Sequence, residues 1–344
     1  GRDLLSPLSV FASGLKEEPL CAQVTDDLEE TSGARAPNRT LACALLAADE
    51  AVAQLPPDRH GRTLGVVVAT TVAGMARSER YYRDLLNDES CLRGAMEELR
   101  YHEPTTVTAG VVRRVNAHFG LTVSTACSAG LHAIGMARHL IERGRCDLCL
   151  ALGADTLSLL TVRGFASLVL LDPQGCRPFD RRRAGISLGE GAGAILLASP
   201  SSAKALGMEH AAVVSGWGAS SDCHHMTAPH PEGEGAALAV RAALADAGLD
   251  PSDIDWVAAH GTGTPDNDVS EIRALRSVLG KLPPFCSMKR TVGHMLGASG
   301  AIEGVLSVKA LLNNAVPPTG GFATVDEAIG AAPSSYAGPM RHVL

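Results

Sequence analysis

Short apolar runs of strand length alternate with amphipathic helical stretches along most of this chain, and that alternation constrains its fold more than any other feature. LGVVVATTVAG (64–74) is β-branched and closes on glycine, the pattern of a buried strand. TVSTA (122–126), CDLCLALGAD (146–155) and SLGEGAGAILLAS (187–199) read as further strands. LACALLAADEAVAQL (41–55) and LHAIGMARHLIERG (131–144) have helical spacing, with Gly144 a C-terminal stop for the second. A second series begins at AAVVSG (211–216), read as a strand, and continues through helix 235–249, strand DIDWVAAH (253–260), helix DVSEIRALRSVLG (268–280) and a last helix after His294. Strands and helices taking turns make the class α/β. The two halves, 1–200 and 201–344, look alike in plan, each bringing a polar residue to the end of a strand. No residue-level repeat and no linker marks the junction.

The bulk numbers exclude several functions. A chain of 344 residues, 46% hydrophobic and 19% charged, can bury a sizeable core. Aromatics at 3% and a net charge of −7 argue against a nucleic-acid platform built on stacking and basic side chains. No stretch has the length and apolarity of a membrane span, and no signal peptide opens the chain. Nine cysteines without a secretory signal read as reduced thiols in the cytoplasm. An acidic cluster, Asp26, Asp27, Glu29 and Glu30, lies near the start.

One of the nine cysteines stands out. In TVSTACSAG the strand-like run delivers Cys127 to a helix start, among residues small enough to let a carbonyl approach the backbone. Free amides and the helix dipole there favour a thiolate, and the Cys127 N–H is placed to meet an oxyanion. A buried structural thiol is an equally good reading of these residues alone. His260 in AAHGTGTPDND and His294 in SMKRTVGHMLGASGAIEG lie in similar Gly-rich loops, the second with Lys289 upstream and Glu303 downstream. Neutral imidazoles can donate to developing negative charge. The plain alternative is that each histidine only satisfies a buried backbone group.

TACSAG, HGTGTPDND and KRTVGHMLGASGAIE, in this order, resemble the β-ketoacyl-acyl carrier protein synthases of the two-histidine elongating class. SSDCHHMTAP, PFDRRRAGISLGEGAGA and AVPPT add to the likeness, which runs from about residue 64 to 328. The resemblance implies a thiolase-like fold, two related βα halves in a five-layered αβαβα sandwich, usually a homodimer, with a heterodimer as the other arrangement. It implies that Cys127 accepts an acyl group from carrier-protein phosphopantetheine. His260 and His294 would then support decarboxylation of malonyl-carrier protein, and the enolate would attack the Cys127 thioester. Lys289 and Glu303 match a lysine–glutamate pair beside the second histidine. Thr227, Thr262 and Thr264 match positions lining the pantetheine channel, and Phe165 matches a residue near the acyl pocket. Neither a metal nor a cofactor of its own is implied, and the partner implied is an acyl carrier protein. Two other readings are a thiolase-like acyltransferase without decarboxylation and a non-catalytic subunit that sets chain length. The retained Cys127, His260 and His294 separate the enzyme from the second of these.

The chain also departs from the family pattern. A T-G-x-G turn before GRDLLSPLS and an N-S-F-G-F-G-G-like segment after MRHVL are expected to belong to the protein beyond these residues, since their loss would bare core edges. A G-P-containing link is missing between Leu121 and Thr122. Val169 stands where relatives often carry a carrier-docking arginine. Arg181, Arg182 and Arg183 read as a solvated charged face, with carrier binding as the other reading. Cys146 and Cys149 have redox or zinc spacing but no second pair. The adjacent His224 and His225 point apart in an extended loop. GEGAG (189–193) precedes a strand, so it is no dinucleotide fingerprint.

Overall fold

The computed structural model describes residues 4–25, 28, 38–59, 61–87 and 99–344, so the acidic cluster of Asp26, Asp27, Glu29 and Glu30 lies outside the described residues. A short antiparallel hairpin, β1 (Leu5–Pro7) and β2 (Leu20–Ala22), leads to helix α1 (Arg39–Val52), capped by the Asn38 side chain. Then follow β3 (Leu64–Ala69), α2 (Met75–Asn87), α3 (Pro104–Val115), β4 (Phe119–Val123), α4 (Ala129–Glu142), β5 (Leu148–Asp155), α5 (Leu159–Ser167), β6 (Gly191–Ala198) and α6 (Pro200–Ala205). The later part holds α7 (Glu234–Ala247), β7 (Val257–Ala258), α8 (Pro265–Leu279), β8 (Phe285–Cys286), the short α9 (Lys289–Val292), α10 (Ser299–Asn313) and a small β9–β10 pair, Ala315–Val316 with Tyr336–Ala337.

The main sheet has the order β4-β3-β5-β6, parallel except for the antiparallel β5–β6 pair. Its central strands, β3 and β5, are buried on both faces, which is why they read as continuous apolar runs instead of alternating ones. Along β3, Val66 and Val68 pack with Leu41, Leu45, Val107 and Val111 of α1 and α3, whereas Val67 and Ala69 pack with Ala129, Ala133 and Ala137 of α4. Each of these valines is fully buried, a contribution of about 1.5–3 kcal/mol per side chain. The β7–β8 pair is sandwiched in the same way. Val257 and Phe285 face Ile272 and Leu275 of α8, while Trp256 and Cys286 face Ala310 of α10. The order α1/α3, sheet, α4/α10, sheet, α7/α8 is the five-layered arrangement.

The two central helices approach closely enough that their backbones touch. A Cβ placed on Gly130 of α4 would lie 2.4 Å from the Ala301 amide nitrogen of α10. Gly130→Ala is therefore expected to destabilise the protein by about 1–3 kcal/mol through overpacking. Gly164→Ala on α5, where nothing lies within 4 Å, should be neutral or slightly stabilising. Chemical denaturation of the two variants side by side checks the contrast.

One expected strand does not form. Residues 211–216 carry no strand assignment and pair with no strand among the described residues, and Val213 is 72% exposed. The segment instead runs along α7, where Cβ atoms on Gly216 and Gly218 would meet the Ala243 and Ala239 carbonyl oxygens at 2.3 and 2.1 Å. Its Trp217 amide donates to Asp246 of α7, and its ring packs on Gly135 of α4. Contacts with two helices hold the chain there in place of a ladder partner. The Arg181–Arg183 run also differs from a uniform solvated face. Arg182 is exposed, but the Arg183 side chain is largely covered, paired with Asp326 and donating to the Thr264 and Pro265 carbonyls at the start of α8. Val169 is 83% exposed, in a left-handed conformation just past α5.

Candidate active site

The strand β4 ends at Val123, and the chain turns through Ala126 at φ +52° before Cys127 and α4. A left-handed alanine costs backbone energy and aims the next residue out of the sheet end. Cys127 is half-buried, just ahead of the helix and not within it. Burial pushes its thiol above the ordinary 9.0, while Lys289 and the Cys127 amide pull the other way. Desolvation outweighs the helix start, so the resting residue is a thiol, contrary to the thiolate expected from its position.

His260 is set by the loop between β7 and α8. Glu271 of α8 accepts from the His260 amide at 2.6 Å and the Gly261 amide at 2.8 Å. Asp268 accepts from the Gly263 amide at 3.1 Å and from Phe179 at 2.7 Å. Gly263 has φ +79°, a conformation that favours glycine, which explains the G-T-G spacing. Ser287 donates to the Gly261 carbonyl at 2.6 Å. Thr262, buried, and Thr264, at the cap of α8, join hydroxyls at 2.9 Å. Burial raises the Glu271 carboxyl to about 7.

His294 is pinned across the two halves. Its amide donates to the Ser187 carbonyl at 2.7 Å, and its carbonyl accepts from Gly189 at 2.9 Å. The Leu296 N–H donates to His294 Nδ1 at 3.2 Å, and Ser299 Oγ lies 2.9 Å from the same nitrogen. A backbone donor on Nδ1 leaves the proton on Nε2, which makes His294 a hydrogen-bond donor through that atom. Lys289, 1% exposed, pairs with Glu303 at 2.5 Å.

These elements bring Cys127, His260 and His294 together, with ligand-type atoms of all three within 4.8 Å of one another. The two imidazole rings stand edge to face, 5.3 Å apart. Burial first, then the buried Lys289 ammonium, holds His260 well below 6.5 and takes His294 down to about 3. Both rings are neutral near pH 7. Cys and two His could hold a soft cation, but the Lys289 ammonium and the proton on His294 Nε2 oppose it. The site is instead arranged to meet negative charge. His294 should stay neutral at pH 5, where free histidine is mostly protonated, and imidazole NMR shifts read this directly. The unfolded chain takes up that proton near 6.5 and the native one only near 3, so native stability should decline as pH falls through this window.

The other expected site residues fall into two groups. Lys289, Glu303, Thr262 and Thr264 belong to this cluster or its supporting loops. Phe165, on α5, packs in a cluster with Leu296, two residues beyond His294. Thr227 lies on an exposed loop and contacts His225, and none of its hydrogen bonds reaches the cluster. His224 packs on His230, while His225 accepts from the Thr227 and Ala228 amides, so the adjacent pair does diverge. Cys146 and Cys149 are buried free thiols. The reading of residues missed Glu271, Asp268, Ser287 and Asp155, the carboxylates and hydroxyl that hold the loops. Their only signals are acids following the HGTGT loop and a lone acid closing the apolar run CLALGAD.

Comparison with known proteins places the site in a family. The sequence models of the beta-ketoacyl synthase N-terminal and C-terminal domains match residues 28–203 and 211–323. The chain is 34% identical over 289 residues to 3-oxoacyl-[acyl-carrier-protein] synthase 2 of Vibrio cholerae, covering 79% of this chain and 69% of the relative. It is 36% identical over 329 residues to a polyketide beta-ketoacyl synthase of Streptomyces cyaneus, covering 90% and 76%. Among solved structures, a beta-ketoacyl synthase from Burkholderia phymatum superposes with TM-score 0.85 at 30% identity, over 93% of this chain and 83% of that one. A ketosynthase from Xenorhabdus doucetiae, in complex with its chain length factor, superposes with TM-score 0.80 at 30% identity, over 97% and 84%. A third structure, a type II polyketide synthase acyl-carrier protein in complex with its ketosynthase, gives TM-score 0.85 at 27% identity, over 99% and 88%. With both domain models matched, the fold shared and a cysteine set against two neutral histidines, this chain belongs to the beta-ketoacyl synthase family and is a condensing acyltransferase of thiolase-like fold.

Proposed function

We propose that Cys127 is the acyl-accepting nucleophile and that His260 and His294 are the donors for decarboxylative condensation. The Cys127 sulfur attacks the acyl thioester of a carrier-protein phosphopantetheine, a new C–S bond forms, and the carrier thiol leaves with the cysteine proton. A malonyl thioester then loses CO2, and the electron pair of the broken C–C bond moves onto the thioester oxygen as an enolate. The two neutral imidazole N–H groups meet that oxygen without first losing a proton. The enolate carbon attacks the Cys127 thioester, the acyl C–S bond to Cys127 breaks, the β-ketoacyl product leaves on the carrier, and the released thiolate takes a proton from solvent. Lys289, paired with Glu303, adds to burial in keeping both imidazoles neutral and offsets part of the rise that burial gives the thiol, so one buried cation serves both stages. No metal or cofactor of its own enters either stage.

The observation that carries this reading is the convergence of one thiol and two neutral imidazoles within 4.8 Å. In the same reading, Thr262 and Thr264 line the pantetheine channel, Phe165 borders the acyl pocket, and Thr227 reaches the channel only if its exposed loop moves. The partner is an acyl carrier protein, as in the ketosynthase complex above, and the active form is a dimer, of two copies or with a related subunit. The described cysteines are all free, in keeping with a reducing compartment, and no helix among the described residues is long and apolar enough to cross a membrane.

Intact-protein mass after incubation with acyl-carrier proteins of several chain lengths tests the proposal. An added acyl mass that clears when malonyl-carrier protein is supplied is the expected result, and the donors that load best report the chain length. A folded protein that no donor acylates would reject the nucleophile and favour a non-catalytic partner subunit.

A further inference from the structure

We infer that Asp155 is a positioning residue for catalysis, a buried carboxylate that holds the nucleophile turn and the His294 turn in register across the two halves of the molecule. It closes β5 and is fully buried. One oxygen accepts from Thr70 Oγ1 at 2.7 Å, the Thr71 amide at 3.0 Å and the Val72 amide at 2.8 Å. The other accepts from the Thr71 amide at 2.9 Å and the Gly297 amide at 2.8 Å. All four partner residues offer donors, which favour the ionised carboxylate against the burial that pushes its pKa up.

The donors come from both sides of the catalytic centre. Thr70, Thr71 and Val72 leave the end of β3, and the Thr71 hydroxyl lies 3.5 Å from the carbonyl of Ala126, the residue before the nucleophile. Gly297 lies in the turn that follows His294. A Cβ on Gly297 would come within 2.8 Å of both the Asp155 carboxylate and the Thr71 hydroxyl, so that turn sits directly on the pair. A fully buried anion is costly to place and yields a stable core only when every lone pair is met. Here the carboxylate is met by the segments whose spacing sets the distance from Cys127 to His294. A group that only stabilised the fold would affect melting and leave the chemistry alone.

The inference rests on the roles given to Cys127 and His294, so wild-type acylation is measured beside each variant. In Asp155→Asn, an amide NH2 meets donors, and the loops shift. The expected result for the folded variant is a fall in condensation kcat of about 100-fold, the effect of displacing catalytic groups by roughly 1 Å, with KM for carrier protein within about threefold. Alkylation of Cys127 by iodoacetamide should also set in at lower pH. Cys127 faces Lys289, Glu303, His260 and His294 as well as Asp155, and this variant removes one of the negative charges that hold the thiol up. Asp155→Glu keeps the charge and should keep the wild-type alkylation profile. A folded Asp155→Asn protein with kcat within about threefold of wild type would overturn the inference. If Asp155→Asn does not fold, Thr70→Val, which removes one donor, decides: reduced kcat at retained KM supports the inference, and wild-type kcat rejects it. A wild type that takes no acyl group rejects the reading of Cys127 itself, and the inference with it.

Discussion

Cys127→Ala forms no acyl-enzyme with any carrier-bound donor, and condensation falls by roughly four orders of magnitude or more, while decarboxylation of malonyl-carrier protein survives. The two activities separate because they draw on different atoms. In the proposed mechanism the thiol supplies the bond that holds the acyl group, whereas the charge released by CO2 loss lands on an oxygen facing His260 and His294. Removing one sulfur from a half-buried turn leaves both histidine loops in place, since their anchors are Glu271, Ser187, Gly189 and Leu296. Mass spectrometry of the protein and CO2 release measured on the same samples give both halves of the result. Residual acylation of the alanine variant would point to another nucleophile, and loss of decarboxylation together with acylation would mean that the two stages are not divided in this way.

His294→Ala shows the opposite pattern. The Nε2–H donor disappears, the enolate oxygen keeps only His260, and decarboxylation should drop by about 10²–10³-fold, as for loss of one oxyanion-hole donor. Acylation of Cys127 should stay within severalfold of wild type. The backbone of residue 294 is held by Ser187 and Gly189 through main-chain bonds that the substitution does not touch, so the turn should persist. Single-turnover decarboxylation of malonyl-carrier protein and the rate of acyl loading are the two measurements. Equal loss in both would mean that His294 supports the architecture of the site and not the charge that develops in it.

Both expectations depend on Lys289 in a way the histidines alone would not suggest. Its ammonium is 1% exposed and paired with Glu303, close enough to depress both imidazoles and to offset part of the desolvation of the thiol. Imidazoles held this far below 6.5 are weak bases, and they fit a role as hydrogen-bond donors better. Burial raises the pKa of the thiol, with Lys289 offsetting part of that rise.

Much of this protein is legible in its sequence because the signals are local. The valines of β3 and the alanines of α4 show their period within a few residues, and burial on both faces makes the runs continuous. The turn at Cys127, the glycines of the HGTGT loop and the GHMLGASG stretch are likewise contiguous. The families of motifs that carry chemistry can therefore be read in order along the chain. Tertiary structure decided what depends on contact between distant segments. Only packing shows that Cys127, His260 and His294 meet, or that burial outweighs a helix start at the cysteine. Arg183 could not be told from its exposed neighbour Arg182, because what distinguishes it is a carboxylate on Asp326 and two carbonyls far along the chain. Residues 211–216 have a strand's composition, but a strand also needs a ladder partner, and in this fold two helices occupy the segment. Asp155 ends an apolar run as a single acid, and nothing in its neighbours announces that the Gly297 amide completes its shell. Local propensity and spacing are written residue by residue, whereas a buried charge takes its meaning from whichever donors the fold brings to it.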